Sequence, residues 1–185
     1  RRRRFFDAVD RGWIGLNGLY ANLLTGLCRP EELLQATAFA RRLGAETGRP
    51  VTTAMLTDIP SWSAGLLPAL AQAGIRYFSS GPNYMPSLPD GGDRIGAALK
   101  TWGDRPVWWE PPSGSCRVLV WMAGRGYSWF HGLNMGSLTA DKSRPILDYC
   151  RELAEKEYPY EMVQVRYTTG GDNGPPDENL PDFVK

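Results

Sequence analysis

Apolar positions along this chain come in short bursts, and their spacing alternates between two periods. Phe5, Phe6 and Val9 close a helix over residues 5–10. Gly12 follows, and Trp13-Ile14-Gly15-Leu16 reads as a short strand leading into the polar-aromatic segment 17–25. Pro30-Glu31-Glu32 opens a helix, with proline in its first turn and acids behind it. Leu33, Leu34, Thr37, Ala38 and Leu43 supply its apolar stripe, and Gly44 and Gly48 close it. A strand is predicted over Val51–Leu56, a helix over Ala64–Ala73 capped by Ser61 or Ser63 and ended by Gly74, and a strand over Ile75–Phe78. Strand, helix, strand at such short spacing is the pattern of parallel strands joined by crossover helices.

The middle of the chain departs from that rhythm. Residues 79–93 are rich in Gly, Pro, Ser and Asn and read as a long loop, with a short helix over Asp93–Thr101. Val107–Glu110 and Cys116–Met122 flank Pro-Pro-Ser-Gly and predict a β-hairpin inserted as an excursion from the α/β pattern. GRGYSWFHGLN is a glycine-rich loop, after which a helix from about Ala140 to Lys156 and a strand over Met162–Tyr167 resume the pattern. The expected fold is α/β, an open sheet or a partial (β/α) barrel of mostly parallel strands joined by crossover helices, formed by residues 1–185 as a single domain.

Composition narrows the choice of partners. A formal net charge of +1 gives no reason to expect a nucleic acid, and Arg1–Arg4 reads as the solvated end of the first helix. No run of 18 apolar residues is present, so no membrane span is expected. Cys28, Cys116 and Cys150 are odd in number and far apart, which argues against a disulfide framework or a thiolate metal knot. The chain opens on four arginines and stops in PDFVK, and it reads as an internal piece of a longer polypeptide, whose remainder would be its first partner. No targeting segment is visible, and in such a piece the compartment stays open. Many aromatics lie beside Gly, Pro, Asn or Ser, where rings suit either loop packing or stacking on sugar C–H faces.

Two acids stand where chemistry is usually placed. Asp58 ends the strand in VTTAMLTDIPSW, and Asp172 follows the strand before TTGGDNGPPDE. Loops at the carboxyl ends of parallel strands gather on one face, so the two carboxylates would converge from remote parts of the chain. A pair of acids is what a glycoside hydrolase requires. Pro60 pushes Ile59 into an extended conformation and separates Asp58 from the next helix, leaving Ser61 and Ser63 better placed as caps. Asp172, between Gly and Asn, could equally form an Asx-turn. Asp90, Asp93, Glu110, Asp177 and Glu178 read as solvated loop charges.

TDIPSWSAGLLPALAQAGIRYFSSGPNY resembles the nucleophile region of glycoside hydrolase family 38, the α-mannosidases, most closely that of bacterial proteins with a family 38 N-terminal domain. The upstream GWIGLNGLYANLLTGLCRPEELL is similar to the preceding strand and helix of that barrel, and VRYTTGGDNGPPDE to its Gly-Asp loop. The likeness runs through most of the chain. It implies that Asp58 is both nucleophile and zinc ligand, that Ser63 stands for the turn's serine, and that Asp172 is the acid/base of a retaining reaction on an α-mannoside or related glycoside. A retaining pair would lie about 5–5.5 Å apart. The turn departs from the family's Asp-Pro-Phe-Gly-His-Ser: here proline has moved and Trp62 replaces histidine. The family's His-x-Asp metal pair is missing and its later metal histidine lies beyond Lys185, so Asp58 alone is assigned to zinc, and the piece alone would neither hold the metal tightly nor be active.

Candidates for the sugar-binding wall are Trp62, Asn83, Tyr84, Tyr127 and Trp129, with Tyr20 and Asn22 beyond the first strand and the single histidine, His131, as a hydrogen-bonding group. For Trp62 and Trp129 core packing is the competing role, and for His131 a bond to backbone. Two other functions fit the same features. One is a catalytically inactive carbohydrate-binding domain, consistent with the altered turn. The other is a metal-dependent polysaccharide deacetylase, which needs paired histidines.

Overall fold

The computed structural model describes residues 1–59, 62–81, 104–123, 127, 143–165 and 177–183. The predicted helix over Asp93–Thr101 and most of the loop at 79–93 lie outside them, as does most of the glycine-rich loop 124–134. Helix α1 spans Arg2–Asp10. Helix α2 spans Pro30–Thr47, strand β1 Thr53–Thr57, helix α3 Leu66–Gln72 and strand β2 Tyr77–Gly81. Strands β3 and β4 cover Pro106–Trp109 and Val118–Met122, helix α4 Ser143–Glu155 and the short helix α5 Leu180–Phe183.

Among the described residues the strands form one open, mixed, four-stranded sheet in the order β1-β2-β4-β3. β1, β2 and β4 are parallel, and β3 runs antiparallel along β4. The predicted hairpin is therefore no excursion. Its second arm is the third parallel strand, and its first arm is the edge. The turn between them forms where Gly114, at φ +64°, donates its N–H to Pro111 O at 2.9 Å.

Period-2 alternation decides which face is covered. Ala54 and Leu56 of β1, Phe78 of β2, and Val118 and Val120 of β4 are buried against Leu33 and Ala36 of α2 and Leu66, Leu67 and Leu70 of α3. The α2 stripe is rotated from its predicted position: Leu33, Ala36, Thr37 and Ala40 face the core while Leu34 is exposed. Gly44 does not end this helix. It sits buried inside it, where a Cβ would meet Arg49 O at 2.9 Å, and the left-handed cap is Gly48 at φ +67°.

The opposite face carries Met55, Tyr77 and Trp108, which remain exposed, with Ser79 and Trp121 between them in register. Residues 158–165 lie against it. Tyr158 packs edge-on to Trp121, with ring centroids 6.4 Å apart, and Ser79 Oγ donates to Gln164 Oε1 at 2.8 Å. The predicted strand at Met162–Tyr167 does not pair over its described part, 162–165.

Trp13–Leu16 is not a strand either. Gly18 N–H reaches Thr53 O at 2.8 Å, and from there the flank of β1 is held by asparagine side chains. Asn17 Oδ1 accepts Met55 N–H at 2.8 Å while its Nδ2 donates to Met55 O at 3.1 Å. A side-chain amide offers one donor and one acceptor in the same plane, as a peptide group does, so it satisfies a strand edge without a strand. Ser63 does not cap α3, whose N-cap is Gly65 without a side-chain bond. Asp177 is not a solvated charge: it is 9% exposed, and its Oδ1 accepts Asn179 N–H at 2.8 Å.

Candidate functional site

The site is built around the carboxyl end of β1. Asp58 is the first residue beyond the strand, exposed, with φ +53°. Aspartate enters the left-handed region more readily than most residues, yet the conformation is still uncommon and needs support. Support comes from both sides. Asp58 N–H donates inward to Gly81 O at 2.9 Å. One residue earlier, Thr57 N–H donates outward to Asn22 Oδ1 at 3.0 Å, and Asn22 Nδ2 donates to Thr57 Oγ1 at 3.2 Å.

The turn after Asp58 is held further on. Ile59 is buried at 5% exposure. Ser63 N–H donates to Thr25 Oγ1 at 2.7 Å, and Ser63 Oγ donates back to Thr25 O at 3.2 Å. Thr25 itself is buried in the single turn Thr25–Leu27. The segment from Asn17 to Thr25 thus bonds β1 along its flank, the strand's end, and the start of the next connection.

The other sequence candidates fall in several places. Asp172, Asn83, Tyr84, Trp129 and His131 lie outside the described residues. Tyr127 is described and half-buried. Trp62 turns its ring onto the helix-packed face, against Phe78 with centroids 5.4 Å apart and Trp109 at 6.1 Å. That is the packing role weighed for it, and it ties the Asp58 turn to the sheet. Tyr20 is exposed and stacks edge-on to Phe39 of α2, with its N–H on Ala36 O. Asn22 directs both amide atoms at Thr57, which is how the structure brings it to Asp58.

The sequence reading missed one acid at the same rim. Asp104 precedes β3, is 7% exposed, has φ +66°, and donates its N–H to Met122 O at the carboxyl end of β4. A Gly-Asp pair before Arg105-Pro106 signals a turn, but nothing in it signals burial. β1 and β3 are opposite edges of the sheet, about three strand spacings or roughly 14 Å apart. Asp104 therefore does not stand as the close carboxylate partner of Asp58. Its charge acts on Tyr158, whose hydroxyl is pushed up to about 12, first by burial and then by Asp104 and Tyr160, with Arg105 opposing.

Among the described residues no three His, Cys, Asp or Glu side chains gather as a metal site would require. The donors described here do not by themselves fit a zinc. Among these residues, too, no helix is long and apolar enough to cross a membrane.

The chain matches no protein-family model, and no curated protein matches it. Its fold is similar to part of an α-mannosidase from Enterococcus faecalis V583, with a TM-score of 0.60 at 16% identity over 99% of this chain and 19% of that one. A 4-α-glucanotransferase from Thermococcus litoralis superposes with a TM-score of 0.44 at 16% identity, over 63% of this chain and 17% of that one. The chain thus spans less than a fifth of the length of each of these two solved structures.

Proposed function

We propose that this chain is part of a glycoside hydrolase of the family 38 type, acting on an α-mannoside or a related glycoside with retention of configuration. The observation that carries the reading is the placement of Asp58: an acid held at the carboxyl end of a parallel strand, in a fold that matches an α-mannosidase along 99% of this chain. Ligand sites of α/β folds sit at that end of the strands. In this reading the open sheet is a section of a (β/α) barrel, and the face carrying Met55 and Tyr77 belongs to its interior in the whole protein.

Asp58 attacks the anomeric carbon and forms a glycosyl ester, while Asp172 protonates the leaving oxygen. Asp172 then takes a proton from the water that cleaves the ester, so the configuration is inverted twice. Zinc belongs to the proposal only as a group that would take Asp58 as one ligand and its remaining ligands from outside the described residues. It would bind sugar hydroxyls.

The experiment is hydrolysis of para-nitrophenyl α-mannoside by the full-length polypeptide that contains this chain. Asp58→Asn keeps the size and the tolerance of a left-handed backbone but removes the nucleophile. It is expected to lower kcat by about 10⁴-fold or more with folding intact. Hydrolysis that persists in Asp58→Asn would refute the assignment.

A further inference from the structure

We infer that Asn22 is a positioning residue for Asp58, fixing the direction of its carboxylate without touching substrate. The inference rests on Asp58 being the reacting acid. In a parallel strand alternate residues turn both peptide groups to the same side. Thr53, Met55 and Thr57 accordingly face away from β2, and each is met by the segment from Asn17 to Asn22. Asp58 turns its N–H the other way, to Gly81 O. The N–H of Thr57 and the N–H of the peptide that joins it to Asp58 are therefore held from opposite sides, the first by Asn22 and the second by β2.

The position of this clamp separates it from ordinary packing. Asn22 is exposed, so water can replace its two hydrogen bonds when the side chain is removed. What water cannot replace is the fixed direction. Without Asn22 the outward hold on Thr57 is lost while the bond from Asp58 N–H to Gly81 O remains, so the strand end would tilt about that inner bond and carry Asp58 out of the geometry that attack requires. Asn17 provides an internal comparison. Its Oδ1 accepts Met55 N–H as Asn22 Oδ1 accepts Thr57 N–H, two residues further from Asp58, while its Nδ2 donates to the backbone carbonyl of Met55 and not to a hydroxyl.

The test compares Asn22→Ala, Asn22→Asp and Asn17→Ala in the full-length polypeptide, with para-nitrophenyl α-mannoside as probe and amide exchange measured peptide by peptide. Asn22→Ala is expected to lower kcat by about 100-fold with KM nearly unchanged. It should also speed exchange at Thr57 and Asp58 while Ala54 and Leu56 stay protected, with Tm close to wild type. Asn22→Asp retains the oxygen that accepts Thr57 N–H and should recover part of kcat. Asn17→Ala should lower Tm at least as much and kcat much less. Unchanged exchange at Thr57 and Asp58 in Asn22→Ala overturns the inference, as does a kcat loss that Asn17→Ala reproduces. A wild-type polypeptide with no glycosidase activity would instead overturn the hydrolase reading, and the exchange result would then decide the clamp by itself.

Discussion

Single residues at the rim of the sheet hold conformations and protonation states that water alone would not give them. Asp58 and Asp104 both adopt positive φ, and Asp104 is buried beside Tyr158. Burial first, and then that charge, keep the phenol protonated, its pKa moving from the ordinary 10.0 up to about 12. The sign of the pH dependence follows. A group whose folded pKa lies above its unfolded value contributes its full share of stability below the unfolded value. It loses that share as pH rises through the folded one. The fold should therefore weaken between pH 10 and 12 as Tyr158 becomes free to ionise only by opening. Alkaline unfolding followed alongside phenolate absorbance checks this. Tyr158→Phe should flatten the dependence in that window, and an unchanged profile would remove Tyr158 as its source.

Between elements, the contact that matters most for the site is the segment from Asn17 to Thr25 lying along β1. Gly18 sits at its closest approach, where a Cβ would come within 2.5 Å of Ile75 Cδ1 and 3.0 Å of Thr53 O. The isoleucine side chain can shift, but Thr53 O is backbone of a strand whose neighbouring residues are held in the ladder to β2, so Gly18→Ala pushes the segment off β1. A cost of about 1–3 kcal/mol is expected from overpacking, read as a fall in Tm or in denaturant midpoint. An unchanged midpoint would show that the segment does not bear on the strand.

This contact also marks the limit of what the sequence alone reveals. Pro30-Glu31-Glu32 announces α2, the short apolar run Val51–Leu56 announces β1, and the Pro-Pro-Ser-Gly turn announces the two arms that form β3 and β4. Each of those signals is local. Trp13–Leu16 looked like a strand because its apolar residues are contiguous. The edge of β1 is instead filled by Asn17 and Asn22, and side-chain amides imitating a ladder have no periodicity to read. Burial of Asp104 and the passage of residues 158–165 under Trp121 depend on contacts across long separations, which local patterning does not encode.

For the whole molecule, the helix-packed face and the rim have different standing. Ala54, Leu56, Phe78 and Val120 with α2 and α3 form a core of ordinary α/β kind, and its similarity to part of an α-mannosidase concerns fold. The candidate site was legible in part. Asp58 could be singled out because an acid closing an apolar run before a proline is unusual, and the structure adds that its backbone is held by Gly81 and its neighbour by Asn22. Asn22 itself was legible only as a polar residue near the rim, since its role lies in which strand it touches. Trp62 was ambiguous in sequence because a ring after a turn serves a core or a ligand equally well; its contacts with Phe78 and Trp109 are core contacts.

The central claim is that Asp58 bonds covalently to the sugar during turnover. The most direct measurement is trapping with a 2-deoxy-2-fluoro mannosyl fluoride, whose 2-fluorine slows both formation and hydrolysis of the ester while its fluoride leaving group restores formation, followed by peptide mass spectrometry of the full-length polypeptide. The account predicts a single glycosylated peptide containing Asp58 and no label in Asp58→Asn. A label on any other carboxylate, or turnover of the probe with the Asp58 peptide unmodified throughout, would contradict it.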